Sequence, residues 1–131
     1  MAARRPPASV VWTAAVVDIA LVLVFVLIGR GAHDEAFTFA GMFETWWPFA
    51  AGLAIGWLVT VAWRRPLGIL VPGVVIWVAT VAIGMLLRVA SGQGVQFAFV
   101  IVATVTLGIF LVGWRAIALL IVRLRSRRVA G

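Results

Sequence analysis

The chain predicts an all-α polytopic membrane protein, a four-transmembrane-helix bundle with both termini cytoplasmic. Three observations lead there. Four long apolar stretches, residues 10–28, 46–63, 67–87 and 97–122, are separated by short segments that hold nearly every charge. Hydrophobic residues make up 65% of the chain and charged residues only 11%, well outside the composition of soluble domains. The runs are apolar on every face rather than alternating, which excludes membrane strands, and a hydrocarbon core about 30 Å thick asks for roughly 20 helical residues. The 131 residues are expected to form a single domain with almost nothing outside the membrane.

The first run, Val10–Ile28, is longer than the apolar region of a signal peptide, carries Asp18 inside, and lacks a small-x-small cleavage site before Arg30. It is therefore expected to stay as a span. Trp46 and Trp47 mark one end of the second helix and Trp63 the other, as interfacial indoles prefer. Pro48 is expected in the first turn of that helix and Pro66 just before the third, where a missing N–H costs little. Pro72 falls inside the third run, so it either kinks that helix or marks a later start near Val71. The fourth run ends in a basic segment, Arg123 to Arg128, expected to anchor the span by charge or to meet anionic head groups.

Orientation follows from the arginines. With a cytoplasmic N-terminus, Arg4, Arg5, Arg64, Arg65, Arg123, Arg125, Arg127 and Arg128 face inward, and only Arg30 and Arg88 face outward. This places the protein in the cytoplasmic (plasma) membrane, the inner membrane of a cell with two, as a multi-pass chain. The net charge of +7 invites a nucleic-acid partner, but arginines at span ends are topology signals, and nucleic acid is rejected. With no cysteine, disulfides, thiolate metal sites and cysteine nucleophiles are excluded.

Helices in lipid associate through small residues and buried hydrogen bonds. The second helix offers Gly52, Gly56 and Thr60; the third offers Gly73, Trp77, Thr80, Gly84 and Arg88 on one face; the fourth offers Thr104, Gly108 and Arg115. Gly52 and Gly56 serve either internal packing or a dimer face. Trp77 either fills the space left by the glycines or walls a ligand cavity.

Two clusters of charge remain. Asp18 lies well inside the first run, and a lone carboxylate there is costly, so it is expected to face the bundle and find a partner. Arg115 lies at a similar depth in the antiparallel fourth run, which makes an Asp18–Arg115 pair the sharpest structural expectation. The competing reading sets Arg115 at the interface beside Trp114, since residues 95–114 already suffice to span. On the opposite side, Arg30, His33 and Arg88 form an outer polar cluster with Asp34, Glu35 and Glu44. It is read either as solvated charge or as an organised mouth. One histidine and no cysteine argue against a metal, and no cofactor is expected.

These landmarks resemble an uncharacterised prokaryotic family of short, four-span membrane proteins, classed only as a domain of unknown function. The stretches that carry the likeness are Asp18, GRGAH at 29–33, WWPF at 46–49, RRP at 64–66, the run from Gly73 through Trp77 and Thr80 to GMLLR at 84–88, GQG at 92–94 and GWR at 113–115. The resemblance implies a four-helix integral membrane fold, supplies no activity, and directs attention to Asp18, Arg30, His33, Arg88 and Arg115.

The leading functional expectation is transport or permeation of a small solute or ion, as an oligomer. The alternative is an accessory or assembly subunit of a larger membrane complex, with the glycine stripes as docking faces. An enzyme is not expected, because no nucleophile–base pair assembles from these residues. Expected partners are membrane lipids, together with further copies of the chain or a partner membrane subunit.

Overall fold

The computed structural model describes residues 4–32 and 38–130. It is helical throughout, with no strand among the described residues: α1 spans Ala8–Ala32, α2 Phe39–Thr60, α3 Val75–Ala90 and α4 Phe97–Ala130. Each helix packs on the next, and α4 closes back on α1. Both tails and the α2–α3 connection lie at one end of the bundle, here the tail end. The α1–α2 and α3–α4 connections lie at the far end.

The buried face of α1 repeats at helical spacing, through Ala14, Asp18, Val22, Phe25 and Val26. Its other faces expose Val16, Ile19, Leu23 and Leu27, so the outside is as apolar as the inside. That pattern suits helices surrounded by lipid rather than water. Three helical stretches are long and apolar enough to cross a membrane: Ala8–Gly31, Ile69–Ala90 and Phe97–Val129. α2 has the length, but Glu44, Thr45, Trp46, Trp47 and Pro48 dilute the first half of its sequence.

The helix boundaries depart from the apolar runs for local reasons. α2 starts at Phe39 rather than Trp46, because Thr38 in extended conformation accepts the Gly41 N–H on its hydroxyl at 3.0 Å. Pro48 therefore lies within the helix, fully buried, and not in its first turn. α2 ends at Val61, whose φ of 51° is left-handed and strained for a β-branched residue.

The third run is not one continuous α-helix. A single turn at Ala62–Arg64 leads to Gly68, Val71 is extended, and regular α-helix begins only at Val75, after Pro72. The break at Pro72 lies at the extended Val71, where a helical piece that begins at Ile69 meets the rest of the helix at a kink. The α3–α4 turn passes through Gly92 and Gly94 at φ of 78° and 77°, where a side chain would be strained. α4 continues past Val122 to Ala130, since no glycine or proline interrupts residues 114–130 and arginine, leucine and alanine favour helix.

Candidate functional site: a buried carboxylate clamp below an open cavity

At the tail end, α1 carries Asp18 inward and α4 carries Arg115 to meet it; neither has any exposed surface. The contact is bidentate. Arg115 Nη1 donates to Asp18 Oδ1 at 2.8 Å and Nη2 donates to Oδ2 at 2.6 Å. Two indoles complete the carboxylate shell: Trp57 Nε1 of α2 donates to Oδ2 and Trp114 Nε1 of α4 to Oδ1, each at 2.8 Å. The guanidinium in turn donates from Nε to the Pro66 carbonyl at 2.8 Å and from Nη1 to the Leu111 carbonyl at 2.9 Å. Its carbon also lies 4.8 Å from the Trp114 ring centroid.

The clamp thus ties α1, α2, α4 and the α2–α3 connection together through one ion pair. Each Asp18 oxygen accepts two donors, which is what a charge removed from water requires. Gly73 makes room for it, since a Cβ there would stand 3.2 Å from Arg115 Cδ. Sequence reasoning misses Trp57 and Trp114 as partners of Asp18, and the Pro66 carbonyl as a partner of Arg115. The available signal was the need of a buried carboxylate for several donors, with two donor-only indoles near its depth.

The small-residue stripes are used inside the chain. A Cβ on Gly52 would meet Ala79 O at 2.8 Å and Thr80 Cα at 2.9 Å, and one on Gly56 would meet Ile76 Cα at 3.0 Å. α2 and α3 therefore touch backbone to backbone, and Thr80, buried against Gly52, returns its hydroxyl to the Ile76 carbonyl at 2.7 Å. Trp77 lies across Gly108, with ring atoms 2.8–3.0 Å from a would-be Cβ, and its indole donates to the Thr104 carbonyl at 2.8 Å. Gly84 accommodates the Phe49 ring, which would stand 2.6 Å from a Cβ.

At the far end a cavity of about 410 Å³ opens between α1, α2 and α4. Arg30, Arg88, Glu44, Thr45, Gln93 and Gln96 contribute polar groups, while Phe25, Val26, Val95 and Phe99 supply apolar lining. Trp77 is not among the lining residues. Arg30 donates to the Gly41 carbonyl at 3.1 Å and to Thr45 Oγ1 at 2.9 Å. Arg88 donates to Gln93 Oε1 at 3.1 Å and stacks on Phe99 with its carbon 4.8 Å from the ring centroid. His33, expected in this cluster, lies outside the described residues.

Below the cavity, Phe25, Phe49 and Phe99 form a mutual contact, with centroids 5.2 Å apart for Phe25–Phe49 and 6.2 Å for the other two pairs. The order along the bundle is polar cavity, phenylalanine floor, apolar core, ion-pair clamp. No group of three or more metal-ligating side chains occurs among the described residues.

The helices that carry the ion pair, α1 and α4, are both long and apolar enough to cross a membrane, so the fold is a helical bundle of membrane-associated type. The family model described as "Protein of unknown function (DUF3054)" matches residues 15–118, and the chain belongs to that family. The matched region holds Asp18, Trp57, Pro66, Trp114 and Arg115, so the whole clamp falls within it. Neither curated proteins nor solved structures yield a match.

Proposed function

We propose that the chain is a small-solute binding and permeation unit of the plasma membrane, crossing four times with both tails in the cytoplasm. The observation that carries the reading is the far-end cavity, polar at its rim and floored by three phenylalanines above a fully bonded ion pair. A bundle open at one end and sealed at the other is the shape of a loading site, and the volume falls in the range of small-molecule pockets. The arginine distribution turns the open end outward. Four helices alone leave little room for a continuous path, so the working unit is an oligomer whose protomers each supply one cavity.

Gly29 provides the test. It lines the cavity, and a Cβ there meets nothing within 4 Å, so a leucine side chain can start from this position and take up cavity volume. Uptake of acetate, glycine and glycerol by proteoliposomes, followed by stopped-flow light scattering, should exceed that of protein-free vesicles for at least one solute. Gly29→Leu should reduce that flux several-fold. Flux unaffected by Gly29→Leu, or permeability equal to bare lipid for all three, would refute the reading.

The accessory-subunit reading has one observation in its favour, the exposed C-terminal part of α4. The glycine stripes lend it little, because Gly52, Gly56, Gly73, Gly84 and Gly108 all face neighbours within the chain. Purification with an unrelated membrane protein in equal amount would support it.

A further inference from the structure

From residue 116 onward α4 leaves the bundle. Residues 123–129 are all exposed, and so are the apolar Ile117, Leu120, Ile121 and Val122 that precede them. Apart from the half-buried Ala118 and Leu119 this apolar length is exposed, and the exposed charges begin abruptly at Arg123. Arg123, Arg125, Arg127 and Arg128 then follow within six residues, with no acidic side chain among residues 116–130. Asp18 is enclosed in the clamp, and the other three acids stand at positions 34, 35 and 44 of the sequence.

The direction of the arginines identifies what surrounds them. At 3.6 residues per turn, Arg125, Arg127 and Arg128 leave the helix at roughly 200°, 40° and 140° from Arg123. Guanidinium groups therefore spread over about 200° of the helix circumference, more than a single face. A protein or nucleic-acid partner docks on one face and would select a one-sided stripe. A layer of lipid head groups surrounds the helix and is met equally in every direction. The abrupt change from an apolar segment to one with arginines over more than half its circumference matches a helix passing from hydrocarbon into phosphate.

We propose that residues 123–128 of α4 form a collar that recruits anionic phospholipid head groups, each guanidinium binding a lipid phosphodiester. The collar rests on the chain being embedded in a bilayer, and it does not depend on the far-end cavity. Trp63, Arg64 and Arg65, exposed in the α2–α3 connection at the same end, border the same leaflet.

The test uses the full-length protein in vesicles of phosphatidylcholine containing trace spin-labelled phosphatidylglycerol or spin-labelled phosphatidylcholine. The motionally restricted fraction should show a preference of about threefold or more for the anionic label at low salt, falling toward unity at high salt. The fourfold variant R123Q/R125Q/R127Q/R128Q makes no change in the core and should lose most of that preference, while R64Q/R65Q should keep most of it. Equal restriction of the two labels by the native protein would overturn the collar. So would a preference untouched by the fourfold variant, or one abolished by R64Q/R65Q alone. A single substitution, Arg125→Gln or Arg127→Gln, that removes the whole preference would also overturn the collar, because it would reduce the effect to one arginine.

Discussion

Asp18 and Arg115 meet side by side, oxygen to nitrogen twice over, yet the two residues are not interchangeable. The surroundings of Asp18 are donors, the indoles of Trp57 and Trp114, whereas the surroundings of Arg115 are acceptors, the carbonyls of Pro66 and Leu111. The clamp therefore has a polarity set by its neighbours as well as by the pair itself.

Removing one member leaves the other charge buried. Asp18→Asn or Arg115→Gln should each destabilise the bundle by about 3–5 kcal/mol, read by reversible unfolding in mixed micelles. The reversed double variant D18R/R115D should recover little of this loss. It would direct a guanidinium at two indole N–H groups and a carboxylate at two carbonyl oxygens. Near-complete recovery would show that pairing alone, without the shell, holds the helices.

The indoles contribute through single hydrogen bonds to a charge. Trp57→Phe and Trp114→Phe keep an aromatic ring while deleting one donor each, and each should cost about 1–3 kcal/mol. Because both bonds end on one carboxylate, the double variant should depart from additivity. Native stability in both single variants would show that the indole bonds add nothing to the ion pair.

Backbone contact makes Gly52 and Gly113 opposite cases in the same protein. Gly52→Ala drives a methyl into the Ala79 carbonyl, where no side chain can yield, and should cost about 1–3 kcal/mol. Gly113→Ala meets nothing within 4 Å on α4 and should be neutral or stabilising by up to about 1 kcal/mol. Thermal unfolding of the two variants side by side checks the ranking, and equal effects would contradict it.

The phenylalanine floor is coupled to α3. Gly84→Ala presses on the Phe49 ring and should destabilise by about 1–3 kcal/mol; adding Phe49→Leu should relieve part of that, giving a negative coupling in a double-variant cycle. Purely additive losses would mean the ring moves aside freely.

Much of the architecture was legible along the chain because hydropathy and charge are one-dimensional properties. The helical segments and Asp18 as the buried charge can be read from spacing, whereas Gly52, Gly56 and Trp77 each allow two readings that spacing does not separate. Capping was not: Thr38 lies outside the apolar run, so the early start of α2 and the placement of Pro48 inside it were hidden. Arg115 was left between two readings because its depth depends on how far α4 slides against α1. The partners of the carboxylate are hidden more deeply, since Trp57 and Trp114 stand 39 and 96 positions from Asp18.

By itself the sequence determined a helical chain, apolar on every face, with its arginines concentrated at one end. Solvent preference acts on each residue separately and so survives in the linear order. Only the tertiary structure decided that one carboxylate collects donors from two further helices, that the glycines face inward, and that a cavity opens over Phe25, Phe49 and Phe99. Hydrogen bonds and close contacts depend on distances of a few ångströms between remote segments, and those distances exist only once the helices have taken their relative register and rotation.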